Sequence, residues 1–183
     1  MKEIIDFIRT VESLKRVKRA GWVREGVPDP ESVADHSFGV SVLCHLLADN
    51  LNVDKEKLIK MALVHDLAEV EVGDQVLQRG SQTLASRKKR FEQEKEFLEK
   101  LFSRIPDKNE YLNFWLEFEE QKTREAIICK QLDKLETAFQ ALEYEKDVEP
   151  SKLDEFFVNT RMHLKEPILI KMFDEMEKQR KKK

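Results

Sequence analysis

Apolar residues recur at spacings of three and four along nearly the whole of this 183-residue chain, and no segment alternates apolar and polar residues convincingly over the length of a strand. That pattern restricts the fold to packed helices. Ile4, Ile5, Phe7, Ile8, Val11, Leu14 and Val17 predict an amphipathic first helix. It ends in the cationic run 15–19, where positive charge suits a helix C-terminus. Gly21, Gly26, Pro28 and Pro30 predict an irregular loop. Ser32 or Asp35 can cap a helix over about 36–50, and Asp54 caps one over about 56–69 that is apolar almost all round and therefore expected to be buried. Gly73 and Asp74 open a loop reaching about residue 86, and a charged helix over about 87–102 is stopped by Pro106. A long helix is expected over about 109–145 with a break near 119–122. Pro150 and Ser151 begin a last helical stretch, which Pro167 divides before a final helix over 168–177.

Composition agrees with an all-α, single compact bundle. Five Gly and five Pro are few for this length, and the 40% hydrophobic content is enough for one sizeable core. The expectation is one domain over 1–183, with a motif-bearing core in about 1–150, C-terminal helices in about 151–178 and a solvated basic tail at 179–183. A net charge of -3 offers no field for a nucleic-acid polymer. Cys44 and Cys129 lie in apolar stretches and no Cys-x-x-Cys pair occurs, which argues for core thiols in a reducing compartment rather than a thiolate zinc site. The N-terminus lacks the apolar core of a signal peptide, and no run approaches the ~18 apolar residues of a membrane span. A cytoplasmic protein without a membrane partner is expected.

The stretch Ala62-Leu63-Val64-His65-Asp66-Leu67-Ala68-Glu69 carries the chemical signal. An imidazole and a carboxylate inside an apolar segment cost several kcal/mol unless something compensates them. A hydrogen bond between the two would serve, and so would a divalent cation, which takes both donor types. His36 stands at the start of an earlier helix, and Asp133 stands inside the apolar pattern of a later one. Glu69 follows His65 by four residues, so one helix can show both on one side.

The ordered set His36 … His65-Asp66 … Asp133, in a helical chain of this size, resembles the HD-domain metal phosphohydrolases, and within them the 5′-deoxynucleotidase branch. The likeness covers roughly residues 1–150. It is carried by Glu31-Ser32-Val33-Ala34-Asp35-His36, by His65-Asp66-x-x-Glu69-x-x-x-Gly73-Asp74, and by the basic-then-Trp stretch Lys18-Arg19-Ala20-Gly21-Trp22. In the bacterial members the Arg and Trp are adjacent, whereas here Ala20 and Gly21 separate them.

The resemblance implies that His36, His65, Asp66 and Asp133 hold one divalent metal ion. Mn, Co or Mg are favoured, and the donor set also suits Zn, Fe or Ni. The metal would lower the pKa of its bound water and neutralise phosphoryl charge. Glu69 would orient or deprotonate the attacking water, Asp74 would take a sugar hydroxyl or assist the leaving group, Arg19 would pair with the substrate phosphate, and Trp22 would pack on the sugar or wall the pocket. The implied substrate is a small nucleotide, a (deoxy)nucleoside 5′-monophosphate, and the implied assembly is a homodimer, for which the first helix and the Phe114-Trp115-Phe118 region offer apolar surface. No His occurs between Asp66 and Asp133, which argues against the His-bridged dinuclear oxygenases and cyclic-dinucleotide phosphodiesterases of the same superfamily. A non-enzymatic helical interaction protein is the remaining alternative. His45 reads as packed or interfacial, His163 as remote, Asp35 and Glu71 as supporting or surface acids, and the charge run 87–96 as a solvated helix face.

Overall fold

A computed structural model describes residues 1–74 and 84–180. Its elements are α1 (Lys2–Ser13), a 3₁₀ turn (Leu14–Arg16), α2 (Ala20–Glu25), α3 (Val33–Leu51), α4 (Lys55–Val64), α5 (Glu69–Val72), α6 (Leu84–Phe102), α7 (Lys108–Glu120), α8 (Arg124–Tyr144), a second 3₁₀ turn (Pro150–Leu153), α9 (Asp154–His163) and α10 (Pro167–Arg180). No strand is present among the described residues, where the extended backbone includes one isolated antiparallel bridge between Lys18 and Ser32. Of the loop expected from Gly73 to about residue 86, residues 75–83 lie outside the described residues, as do the last three residues of the basic tail, and the helix that follows already begins at Leu84. No described helix is long and apolar enough to cross a membrane.

α8 organises the core. It packs against α3, α4, α7, α9 and α10, and it buries Ile128, Cys129, Leu132, Leu135, Ala138 and Ala141 completely. Cys44 and Cys129 are both buried thiols, as their settings predict. Phe114, Trp115 and Phe118, whose helical spacing reads as core or dimer contact, turn inward and join this core.

Three local departures from the sequence pattern shape the site. The first helix stops at Ser13, and Val17 becomes extended so that its carbonyl accepts the Val33 amide at 2.8 Å while the Arg19 amide donates to the Glu31 carbonyl at 3.1 Å. The chain predicted as irregular then forms α2, closed by Gly26 in the left-handed conformation at φ 78°. Gly21 is accommodated inside that short helix because a Cβ there would meet the Phe156 ring at 3.0 Å. Finally, the helix expected over 56–69 ends at Val64. His65 Nδ1 lies 2.7 Å from the Ala62 carbonyl, and the amides of Leu67 and Glu69 bond back three residues rather than four. Such tightening brings residues i and i+3 into register, so Asp66 joins His65 and Glu69 on the side that lines one cavity.

The remaining boundaries follow the local chemistry. Ser32 and Asp35 cap α3 together, Ser32 Oγ accepting from the Asp35 amide at 3.2 Å and Asp35 Oδ2 accepting from the Ser32 amide at 2.8 Å. Asp54 accepts from the Lys57 amide at the start of α4. The break expected near 119–122 is the left-handed Gln121 between α7 and α8.

Candidate metal centre

α3 supplies His36, the turn after α4 supplies His65 and Asp66, and α8 supplies Asp133. His36 is fully buried, and His65 and Asp133 are each 3% exposed. Donor atoms of His36, His65 and Asp66 lie within 4.8 Å of one another. Asp66 Oδ2 is 3.1 Å from His65 Nε2 and 3.8 Å from His36 Nε2. Asp133 is outside that tight trio but reaches it through His36, its Oδ1 being 3.2 Å from Nε2.

The imidazole orientations test whether a cation fits. Each ring uses Nδ1 on a protein oxygen, Glu136 Oε2 at 2.5 Å for His36 and the Ala62 carbonyl at 2.7 Å for His65. Each Nε2 is then buried without a hydrogen-bond partner and faces the carboxylates. Two orphaned imidazole nitrogens converging on Asp66 and Asp133 form a donor set that a divalent metal satisfies.

Electrostatics agrees. Burial alone would raise Asp66, but His65, Arg19 and His36 outweigh it and hold the carboxyl far below its usual range. Asp133 is likewise held low against burial by Lys134, Lys130 and His36. Burial and Arg19 push the His36 imidazole down, yet Asp133 and Glu136 prevail and leave it at about 9. Burial, reinforced by Asp66 and Asp74, pushes Glu69 up to about 9, and Glu69 Oε2 is another buried atom without a partner. Carboxylates crowded this way are relieved by a cation placed among them.

A cavity of about 510 Å³ opens onto His65, Asp66, Glu69 and Asp133. Of the other sequence-predicted residues, Arg19 sends Nη1 to 3.5 Å from Asp66 Oδ2 and 3.9 Å from Asp74 Oδ1. Asp74 Oδ2 accepts the Ala20 amide at 2.6 Å and so anchors the start of α2. Trp22 lines the cavity but is 1% exposed, its indole lying between Tyr144 and Phe156 while Nε1 donates to Glu31 Oε1 at 2.8 Å. It walls the pocket, and its ring is not free to pack on a sugar. His45 is exposed rather than packed.

Sequence reasoning missed several cavity residues. Lys130 and Lys134 approach Asp133 Oδ2 at 3.1 and 3.2 Å. The signal was available, because Lys130, Asp133, Lys134 and Thr137 fall at i, i+3, i+4 and i+7 and so form one polar row along the helix that carries Asp133. The run 87–96 is not wholly solvated. Arg90 turns inward, 3.7 Å from Glu69 Oε1 and 2.5 Å from Glu94 Oε1, and Phe91 stacks on Trp115.

With this geometry in view, the sequence matches the HD domain family over residues 11–177. The chain belongs to the HD domain family. Among relatives of this HD domain, the 5′-deoxynucleotidase HDDC2 of Danio rerio is 36% identical over 98% of this chain and 89% of the relative. The HDDC2 of Homo sapiens is 33% identical over 98% and 87%. A conserved hypothetical protein from Pyrococcus furiosus superimposes with a TM-score of 0.72 at 31% identity, covering 95% of this chain and 99% of the other.

Proposed function

We propose that this HD domain hydrolyses the phosphate ester of (deoxy)nucleoside 5′-monophosphates with one divalent metal ion held by His36, His65, Asp66 and Asp133. The observation that carries the reading is the pair of buried Nε2 atoms without partners, aimed at Asp66 and Asp133. Relatives named 5′-deoxynucleotidase over nearly the full chain support the substrate class. Two nitrogen and two oxygen donors suit Mn, Co, Fe, Zn or Ni, and the likeness to the 5′-deoxynucleotidases favours Mn, Co or Mg. When bound, the cation supplies Lewis acidity, lowering the pKa of a water and neutralising phosphoryl charge.

The chain's own groups do the rest. Arg19, Lys130 and Lys134 place three cations at the cavity, where they hold the substrate phosphate. Glu69 orients the attacking water and takes its proton through Oε2, with Arg90 beside its other oxygen. Asp74 steadies Arg19 and α2, and on this reading its carboxylate takes a sugar hydroxyl or assists the leaving oxygen. Trp22 closes the wall behind them. A homodimer in the cytoplasm completes the reading. It is supported by apolar side chains exposed on α3, namely Phe38, Val42 and Leu46, and light scattering in solution checks it.

A panel of ribo- and deoxyribonucleoside 5′- and 3′-monophosphates, assayed across these metals, tests the substrate. Chelation is expected to remove turnover, and Mn or Co to restore it. Asp66→Ala should lose metal binding and turnover together while its circular dichroism stays helical. Retained turnover in that variant refutes the site.

A further inference from the structure

We infer that Glu136 is a positioning residue for the metal centre, holding His36 in the tautomer that presents Nε2 to the cation. The inference rests on the proposed role of His36 as a metal ligand.

The geometry comes from one helix face. Asp133 and Glu136 are three residues apart on α8, so both reach the same side. Asp133 Oδ1 lies 3.2 Å from His36 Nε2, and Glu136 Oε2 lies 2.5 Å from His36 Nδ1. The ring is thus gripped at both nitrogens by α8, while α3 carries its backbone. A carboxylate at Nδ1 keeps the proton there and leaves the Nε2 lone pair for coordination, and it makes that nitrogen a stronger donor.

Packing around Glu136 reserves the place for it. Gly39 follows His36 by three residues on α3, and a Cβ at Gly39 would fall 2.7 Å from Glu136 Oε1 and 3.0 Å from its Cγ. Glu31 lies beside Glu136, and its own carboxylate is held by the Trp22 indole. Glu31, His36 and Glu136 also form a group whose donor atoms fall within 4.8 Å, a span that would admit a cation. Glu136 meets His36 at Nδ1, however, while Nε2 is the nitrogen turned to Asp66 and Asp133. Glu136 therefore acts on the metal through His36, not as a ligand.

The test is Mn(II) titration by calorimetry on the full chain, comparing wild type with Glu136→Gln, Glu136→Asp and His36→Gln. One Mn per chain is expected in wild type. Glu136→Gln, which keeps the side-chain volume, and Glu136→Asp, which withdraws the carboxylate, should each weaken it by about 10- to 100-fold. Wild-type affinity in both Glu136 variants, with affinity lost in His36→Gln, overturns the inference and leaves the site reading standing. Wild-type affinity in His36→Gln overturns the site reading, and the inference falls with it. A second Mn that disappears in Glu136→Gln also overturns the inference, because Glu136 would then be a ligand. Should the Glu136 variants fail to fold, the wild type still decides. Nitrogen-15 NMR of the Zn-loaded protein should show His36 protonated at Nδ1, and an unprotonated Nδ1 overturns the inference.

Discussion

Replacing Trp22 by phenylalanine removes one hydrogen-bond donor from the interior while keeping an aromatic ring in place. The indole Nε1 donates to Glu31 Oε1 at 2.8 Å, and both residues are buried. A hydrogen bond to a charged group contributes about 1.5–3 kcal/mol, and the shed ring atoms add about 1–2 kcal/mol where the indole meets Phe156 at 4.2 Å and Tyr144 at 5.3 Å. A double-mutant cycle with Glu31→Met separates the two contributions, and the coupling should match the first. The coupling should also depend on pH. Burial, reinforced by Glu136, pushes the Glu31 carboxyl from 4.5 up to about 7. Because the folded value is raised, the unfolded chain loses this proton first, and Glu31 lowers stability as pH rises from 4.5 to about 7. At pH 8 the indole bonds a carboxylate. At pH 5.5 it bonds a neutral acid, and the coupling should fall toward the ~1 kcal/mol of an uncharged pair. Urea unfolding of the chelated protein, followed by far-ultraviolet circular dichroism at both pH values, measures it. A coupling below about 0.5 kcal/mol at pH 8, or one equal at both pH values, would falsify the argument that this bond anchors a charged Glu31.

Ser32→Ala removes half of the capping box that starts α3, and a loss of about 1 kcal/mol should show as a melting point lower by about 2–4 °C. Gly26→Ala meets nothing within 4 Å but forces a side chain into φ 78°, so thermal unfolding should report a cost of about 1 kcal/mol with turnover unchanged. Lys134→Met deletes a cavity cation that sits 3.2 Å from Asp133, and steady-state kinetics should show kcat/KM for a nucleoside monophosphate falling about 10- to 100-fold, chiefly through KM.

How far the sequence could be read depended on what each residue has to satisfy. Helix starts were legible where a side chain caps its own backbone, as Ser32 and Asp54 do, because those bonds lie within one turn. His36, His65, Asp66 and Asp133 stood out because polar donors inside apolar patterns need a partner, and the fold draws them around one point. Long-range demands were not legible. Val17 leaves the helical pattern to pair with Val33, and the turn from His65 to Ala68 leaves it for bonds that reach back three residues.

The sequence by itself therefore determined an all-helical chain and the caps at Ser32 and Asp54, since periodicity and local hydrogen bonding act over a few residues, and it marked His36, His65, Asp66 and Asp133 as polar side chains in apolar settings. Tertiary structure alone decided which apolar faces meet, turning Phe114, Trp115 and Phe118 into core. It also brought Arg19 and Arg90 to the cavity and seated Glu136 against His36, across 100 residues of chain. Periodicity states which side of a helix must be covered. Only the packing of one helix on another states what covers it.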